Sequence, residues 1–179
     1  MRIIAGKLKG RKIIAGPDNR IRPTSDRVKE AIFSMISPNL EDAVVIDLFS
    51  GTGNLGLESI SRGAYFVYFG DKFRESMNII KKNIEICQVE KQSNTILGSW
   101  DQVLNRIPHP VDIIFLDPPY QSGLIEKCIN KIESLSLLKK NGIIVTEYRV
   151  DEPLPMIVDT FNKIKEKKYG NTMITIYSI

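Results

Sequence analysis

Val44-Val-Ile-Asp47-Leu-Phe-Ser-Gly51-Thr-Gly53-Asn-Leu-Gly56-Leu-Glu-Ser59 reads as strand, tight loop and helix, and this one stretch decides the fold. An apolar run ends in an acid, a loop carries glycines spaced G-x-G-x-x-G, and a helical pattern follows. Glycines at such positions let the backbone approach a ligand and let the helix pack closely on its sheet. The spacing alone is shared with dinucleotide-binding proteins. Asp47 shifts the reading, because an acid four residues before the first glycine sits where an ammonium group or its water shell would be held. That suits an amino-acid moiety better than a pyrophosphate. Simple capping of the loop is the plainer alternative.

Downstream, strand-like runs at 44–48, 66–69, 93–97, 112–116 and 143–148 alternate with helical patterns at 54–62, 74–87, 100–106 and 122–134. Such alternation, with nearly continuous apolar strands, predicts an α/β fold whose parallel sheet has helices on both faces. The tail breaks the rhythm, since 161–169 and 172–178 flank Gly170-Asn171 and read as a closing antiparallel pair. Upstream, Ile3-Ile4-Ala5 and Ile13-Ile14-Ala15 predict a small hairpin around Gly6-Lys-Leu-Lys-Gly10, followed by an irregular connector from Pro17 to Pro23. Thr24 or Ser25 then caps a helix with Val28, Ala31, Ile32, Met35 and Ile36 on one face, ending before Pro38. The expected division is a basic hairpin and connector over 1–22 and the main domain over 23–179.

Three further clusters carry chemistry. The second strand, Phe66-Val-Tyr-Phe69-Gly-Asp71, offers Asp71 as the acid that ribose hydroxyls need in folds of this kind. Ser99 and Trp100, after the third strand, are placed to frame an adenine ring. After the fourth strand comes Asp117-Pro118-Pro119-Tyr120, the most specific signal in the chain. Two prolines there fix φ and leave carbonyl oxygens free to accept hydrogen bonds. An exocyclic amine on a base needs such acceptors, because its lone pair is delocalised into the ring. Held by Asp117 and the Pro118 carbonyl, the nitrogen can rotate or pyramidalise toward an electrophile. Tyr120 can stack on the base. His109, between Pro108 and Pro110, reads as a turn residue.

Composition narrows the class. The 179 residues, 42% hydrophobic and 26% charged, exclude collagen-like, disordered and membrane proteins. No stretch approaches the roughly 18 apolar residues of a spanning helix, and the run at Ile3 is too short for a signal-peptide core, so a cytoplasmic protein is expected. Cys87 and Cys128 sit in apolar helical patterns without partners at metal spacing, so buried thiols and no metal are expected. The net charge is +4, but residues 1–36 hold nine Lys/Arg against three acids. A basic arm on a slightly acidic body is the footprint of a nucleic-acid binder, with Lys7, Lys9, Arg11, Lys12, Arg20, Arg22 and Arg27 as the phosphate-contacting candidates.

With these motifs in view, the sequence resembles the class I S-adenosylmethionine-dependent methyltransferases that modify exocyclic amines. Within them it is similar to the RsmD-type bacterial enzymes that methylate guanine N2 in 16S ribosomal RNA. The resemblance covers nearly the whole chain. It includes Arg2-Ile-Ile-Ala-Gly-Lys-Leu-Lys-Gly-Arg11, Arg22-Pro-Thr24-Ser-Asp26-Arg27-Val-Lys-Glu-Ala-Ile-Phe33, the loop from Asp47 to Glu58, and Asp117 to Tyr120. The Arg-Pro-Thr segment discriminates, because generic amine methyltransferases share the loop and tetrapeptide without it.

The resemblance implies a Rossmann-like fold with a mostly parallel seven-stranded sheet, an antiparallel C-terminal pair and an N-terminal hairpin extension. It implies S-adenosylmethionine as methyl donor, 16S rRNA or a small-subunit particle as partner, and a monomer. By position, Asp47, Phe49, Ser50, Gly51, Gly53, Asn54 and Leu55 would meet the cofactor's methionine side. Asp71, Ser99 and Trp100 would meet its nucleoside, Thr24 would close over it, and Asp117 to Tyr120 would hold a flipped guanine. Where relatives carry Glu at the end of the second strand this chain has Phe69, so the ribose contact shifts to Asp71 or is lost. Where relatives carry Asp or Asn before the third helix it has Ser99. Adenine-N6 methylation of DNA shares the tetrapeptide, but 179 residues leave no room for a target-recognition insertion. A non-catalytic RNA-binding assembly factor would need only the basic arm, and nothing after the fourth strand suits the hydride chemistry of an oxidoreductase.

Overall fold

Strands buried on both faces need helices on both sides, and the chain supplies them alternately. The computed structural model describes residues 1–16, 25–119 and 123–179. Its helices are α1 (Asp26–Ile36), α2 (Asn54–Ser61), α3 (Arg74–Cys87), α4 (Trp100–Leu104) and α5 (Leu124–Ser134). Its strands are β1 (Val44–Asp47), β2 (Phe66–Asp71), β3 (Ser93–Leu97), β4 (Val111–Leu116), β5 (Leu138–Arg149), β6 (Ile157–Val158), β7 (Phe161–Tyr169) and β8 (Thr172–Ser178). They form one sheet in the order β3-β2-β1-β4-β5-β8-β7-β6. The first five are parallel, and β8, β7 and β6 add on antiparallel.

Alternate residues of each strand enter two cores. Val45, Val67, Ile113, Phe115 and Val145 face α1, α2 and α3, whereas Ile46, Tyr68, Ile114 and Ile144 face α4 and α5. Between β1 and β4 the order of strands reverses. Ligands of open α/β sheets bind outside the carboxyl ends of the strands at this kind of switch point. Here those ends are Asp47 and Leu116, the latter followed by Asp117.

Ser25 caps α1 by accepting a hydrogen bond from Val28 N–H. The expected seven strands become eight through the two-residue β6, too short to carry a pattern. Strand β5 starts at Leu138, before its apolar run. Its polar opening is held by the Val111–Leu138 pairing and by Lys139 Nζ on Asp112 Oδ2 at 2.8 Å. Strand β2 runs on to Asp71, because Gly70 and Asp71 pair with Ile96 and Leu97.

The N-terminal hairpin forms: Arg2 bridges Lys12 antiparallel, Ile3 N–H donates to the Arg11 carbonyl, Gly10 N–H to the Ile3 carbonyl and Ile13 N–H to the Met1 carbonyl. Others of its N–H groups turn to the helices. Ile4 and Ala5 N–H donate to the Glu58 carboxylate, Lys7 N–H to the Ser61 carbonyl and Leu8 N–H to Ser61 Oγ. Asn83 of α3 exchanges two hydrogen bonds with the Ile14 backbone. Gly6, at φ +81°, runs so close to α2 that a Cβ would lie 1.8 Å from the Ser61 carbonyl oxygen. Ile3 and Ile13 are buried in the α1–α3 core. No described helix is long and apolar enough to cross a membrane.

Candidate active site

Three backbone hydrogen bonds draw the carboxyl ends of four strands together. Leu48 N–H donates to the Phe115 carbonyl at 3.2 Å, Ser50 N–H to Gly70 at 2.9 Å and Gly98 N–H to Asp71 at 3.0 Å. The glycine loop, Asp71, Ser99 and Asp117 therefore share one end of the sheet. Within the loop, Gly51 and Gly53 adopt φ of +56° and +80°, which only glycine enters freely. Gly56 serves packing: a Cβ there would lie 2.3 Å from the Phe69 ring. A Cβ on Gly53 would also meet Phe69, at 3.4 Å, so that position faces protein rather than the space a ligand backbone approaches.

Asp47 is 2% exposed, and its Oδ2 accepts from Gly56 N–H in the first turn of α2 at 3.0 Å. Capping of the helix is thus realised, by one oxygen. No described donor reaches the other. Burial, together with the nearby Asp71 carboxylate, pushes the Asp47 carboxyl up to about 7, against the Gly56 hydrogen bond. Asp71 is locked by backbone: Oδ2 accepts from Gly51 N–H at 3.0 Å and Oδ1 from Phe73 N–H at 2.9 Å. Burial still raises its pKa. Phe69, buried under Gly53 and Gly56, belongs to the helix-packing face and offers no polar group.

Asn54, the first residue of α2, is 6% exposed. Its Oδ1 accepts from Lys29 Nζ at 2.8 Å, and its Nδ2 has no partner among the described residues. A lysine ammonium can only donate, so it fixes which way this amide points. Lys29 itself was counted with the basic arm, yet it is fully buried. Its three protons go to the Arg2 carbonyl, Asn54 and Glu58 Oε2, at 2.8, 2.8 and 3.0 Å. Glu58 is equally spent: Oε2 takes Ile4 N–H and Lys29, while Oε1 takes Ala5 N–H and Arg62 Nε at 2.8 Å. Sequence reasoning missed this buried pair. Its trace in the sequence is a Glu on the inner face of a helix that is buried along its whole length.

Ser50 Oγ donates to the Asp47 carbonyl, and Phe49 and Leu55 pack into the two cores. Ser99 caps α4, its N–H donating to Gln102 and its hydroxyl to Asp101. Trp100 is half-buried against the α4–α5 core. Asp117 and Pro118 are half-buried and Pro119 is exposed. Lys7, Lys9, Arg11, Lys12 and Arg27 are exposed, with Lys7 Nζ on Gln92 Oε1 and Arg11 Nη1 on the Ile86 carbonyl. Thr24, Arg20, Arg22 and Tyr120 lie outside the described residues. His109 touches Tyr68 Oη at 3.3 Å before β4, at the opposite end of the sheet. Both cysteines are buried free thiols, and among the described residues no cluster of His, Cys, Asp and Glu could hold a metal.

Two groups at the loop are thus unspent, an acidic oxygen on Asp47 and an amide N–H₂ on Asn54. Together they match the ammonium and carboxylate of an amino acid, so the residues fit the methionine portion of S-adenosylmethionine.

Comparison with known proteins places the chain in a family. The profile of a family described as "Conserved hypothetical protein 95" matches residues 1–178. The chain is 35% identical over 182 residues to the Haemophilus influenzae protein named "Ribosomal RNA small subunit methyltransferase D", covering 99% of this chain and 93% of that one. It is 31% identical over 177 residues to the Escherichia coli K12 protein of the same name, covering 99% and 89%. The solved structure of the Escherichia coli protein yhhF superposes with a TM-score of 0.88 at 31% identity, over 99% of this chain and 96% of that one.

Proposed function

The chain belongs to the Conserved hypothetical protein 95 family, and from that premise we propose that it is an S-adenosylmethionine-dependent rRNA methyltransferase acting on the exocyclic N2 of a guanine in 16S rRNA. The products are N2-methylguanosine in the RNA, S-adenosylhomocysteine and the proton that the amine loses. The observation that carries this reading is the adjacency of two stations at the switch point. The loop with unspent Asp47 and Asn54 groups follows β1, and Asp117-Pro118-Pro119 follows the neighbouring β4, tied across by Leu48 N–H on the Phe115 carbonyl. Relatives that span nearly all of the chain are named for methylation of small-subunit rRNA.

When bound, S-adenosylmethionine supplies an electrophilic methyl group on a sulfonium. The chain's own residues do the rest. Asp47 and Asn54 hold the two charges of the amino-acid end, the glycine turns keep side chains out of the loop, and Asp117 with the Pro118 carbonyl accepts the two amine hydrogens of the base. Those acceptors turn the nitrogen lone pair out of conjugation and hold it toward the methyl group, so they act most strongly in the transition state. Lys7, Lys9, Arg11, Lys12 and Arg27 bind RNA phosphates in this reading.

The test is methylation of 16S rRNA and of small ribosomal subunits from cells lacking the gene, with the product mapped by mass spectrometry. Asp117→Ala should cut turnover by about a hundredfold or more, the effect of losing one preorganised partner, while S-adenosylhomocysteine affinity is kept. Near-full turnover in that variant would remove the amine-holding role.

A further inference from the structure

The four lysines of β7, Lys163, Lys165, Lys167 and Lys168, form a second concentration of positive charge. It is broken only by Glu166. They are not equivalent. A register shift between Lys163 and Lys165 turns the strand, so that Lys165, Lys167 and Tyr169 fall on the α1 side. Lys163 is spent on the Leu154 carbonyl and Glu166, and Lys165 Nζ caps the end of α1 at the Met35 carbonyl, 3.2 Å away. Lys167 remains exposed, its ammonium 5.5 Å over the Tyr169 ring. Opposite it, α1 presents Arg27, Glu30, Ala31, Ser34 and Met35, and the two walls enclose a groove of about 390 Å³. The Glu30 charge is met by Arg62 at 3.0 Å, which leaves Arg27 and Lys167 to set the sign of the groove.

The position of the groove follows from the ladder. Leu116 pairs with Thr146, Thr146 with Thr175 and Thr175 with Glu166. One row further toward the carboxyl end, where Asp117 leaves β4, the row continues through Glu147 and Ile174 to Lys167. Tyr169 lies two rows beyond that. Phe115 and Ile174 both belong to the core under α1, so Lys167 lies on the same side of the sheet as that core. Three strand spacings separate β4 from β7, about 14 Å. A strand of RNA whose target base entered at Asp117 would have the groove within reach of its neighbouring nucleotides.

We infer that the groove between α1 and the β7–β8 hairpin is an RNA-binding surface, in which Arg27 and Lys167 take phosphates flanking the target nucleotide and Tyr169 takes the face of a base or sugar. This rests on the reading of the chain as an rRNA methyltransferase and adds the surface that orients its substrate. An ammonium beside an aromatic ring combines the two attractions that single-stranded RNA uses, counterion release and stacking.

The experiment compares wild type, the double variant Arg27→Ala/Lys167→Ala, Tyr169→Leu and Lys167→Arg. Filter binding to 16S rRNA is read at several salt concentrations, alongside turnover on 16S rRNA and on small subunits. The double variant should lose about 1.4–1.8 units of log–log salt slope, 0.7–0.9 for each phosphate, and its KM for RNA should rise at least tenfold. Its S-adenosylhomocysteine affinity should stay at the wild-type value. Tyr169→Leu, which keeps an apolar side chain, should weaken RNA binding about tenfold, and Lys167→Arg should bind as wild type. An unchanged slope and KM in the double variant overturns the inference. So does a loss confined to assembled subunits with naked RNA bound normally, since the groove would then take ribosomal protein. If wild type methylates neither substrate, the functional reading fails, and the salt slopes alone still decide for or against the groove.

Discussion

The protonation of Asp47 is pulled in opposite directions, toward the carboxylate by its hydrogen bond from Gly56 N–H and toward the acid by burial. One oxygen caps α2 through Gly56 N–H while burial holds the carboxyl up to about 7. An unfolded aspartate titrates near 3.9. Between roughly pH 4 and 7 the folded chain therefore keeps a proton that the unfolded chain has lost, and Asp47 erodes stability as the pH rises through that window. An ammonium placed against the carboxylate favours its ionised form. S-adenosylhomocysteine should accordingly bind more tightly as the pH rises from 6 to 8, with release of a proton. Asp47→Asn keeps the cap, since its amide oxygen still accepts from Gly56. It should raise the melting temperature more at pH 8 than at pH 5, and abolish the pH dependence of ligand binding. Calorimetry in buffers of different ionisation enthalpy reads the proton. A variant with the wild-type pH profile would take the ammonium away from Asp47.

At the scale of elements, α1, α2 and the N-terminal segment meet on one buried ion pair. Lys29 from α1 and Glu58 from α2 use all their hydrogen-bonding capacity on each other, on Asn54, on Arg62 and on the backbone of Arg2, Ile4 and Ala5. Removing one member leaves a buried charge short of a partner, which costs about 3–5 kcal/mol. Lys29→Met should thus destabilise by about 3 kcal/mol, the low end, because Arg62 and two N–H groups still face Glu58. For a chain of this size that is a fall of roughly 6–12 °C in melting temperature, and freeing the Asn54 amide should also weaken S-adenosylhomocysteine binding. A melting curve superimposable on wild type would mean that the pair is dispensable. The elements themselves were legible: α3, β3, β7 and β8 lie where periodicity and the Gly170-Asn171 turn put them. The places of Asp47, the loop and Asp117 at the carboxyl ends of β1 and β4 were legible too, since glycine and proline restrict the backbone locally. The role of Lys29 was not, because one lysine on a helix reads as solvated until the fold brings Glu58 and Asn54 around it. Gly53 and Gly56 likewise looked alike in the sequence, and only the nearness of Phe69 shows that both pack against protein.

At the scale of the whole molecule, the basic hairpin and the basic groove lie in different places. The hairpin tip, Gly6 to Gly10, lies against Ser61 at the carboxyl end of α2, and Arg11 reaches Ile86 near the end of α3. Helix α2 has eight residues, so about 12 Å of helix at 1.5 Å per residue separates the tip from the glycine loop, toward the amino ends of the strands. In the proposed RNA-binding role, Lys7 and Lys9 at the tip would meet RNA away from the reacting base, whereas Lys12 is bridged to Arg2 beside Lys29 and Asn54, and Arg27 and Lys167 lie at the level of Asp117. Replacing the four hairpin residues together by Ala should remove about 2.8–3.6 units of salt slope, uniformly across RNA sequences. The backbone of the segment stays held by Glu58, Ser61 and Asn83, so ligand affinity should survive. Because the tip does not position the target base, kcat at saturating RNA should survive as well, and only KM should rise. An unchanged slope in the quadruple variant would make the hairpin charge surface decoration and leave the grip on RNA to the carboxyl end of the sheet. A fall in kcat at saturating RNA would instead mean that the hairpin reaches the reacting nucleotide, which its place beside Ser61 and Gln92 forbids unless the RNA wraps the α2–α3 flank.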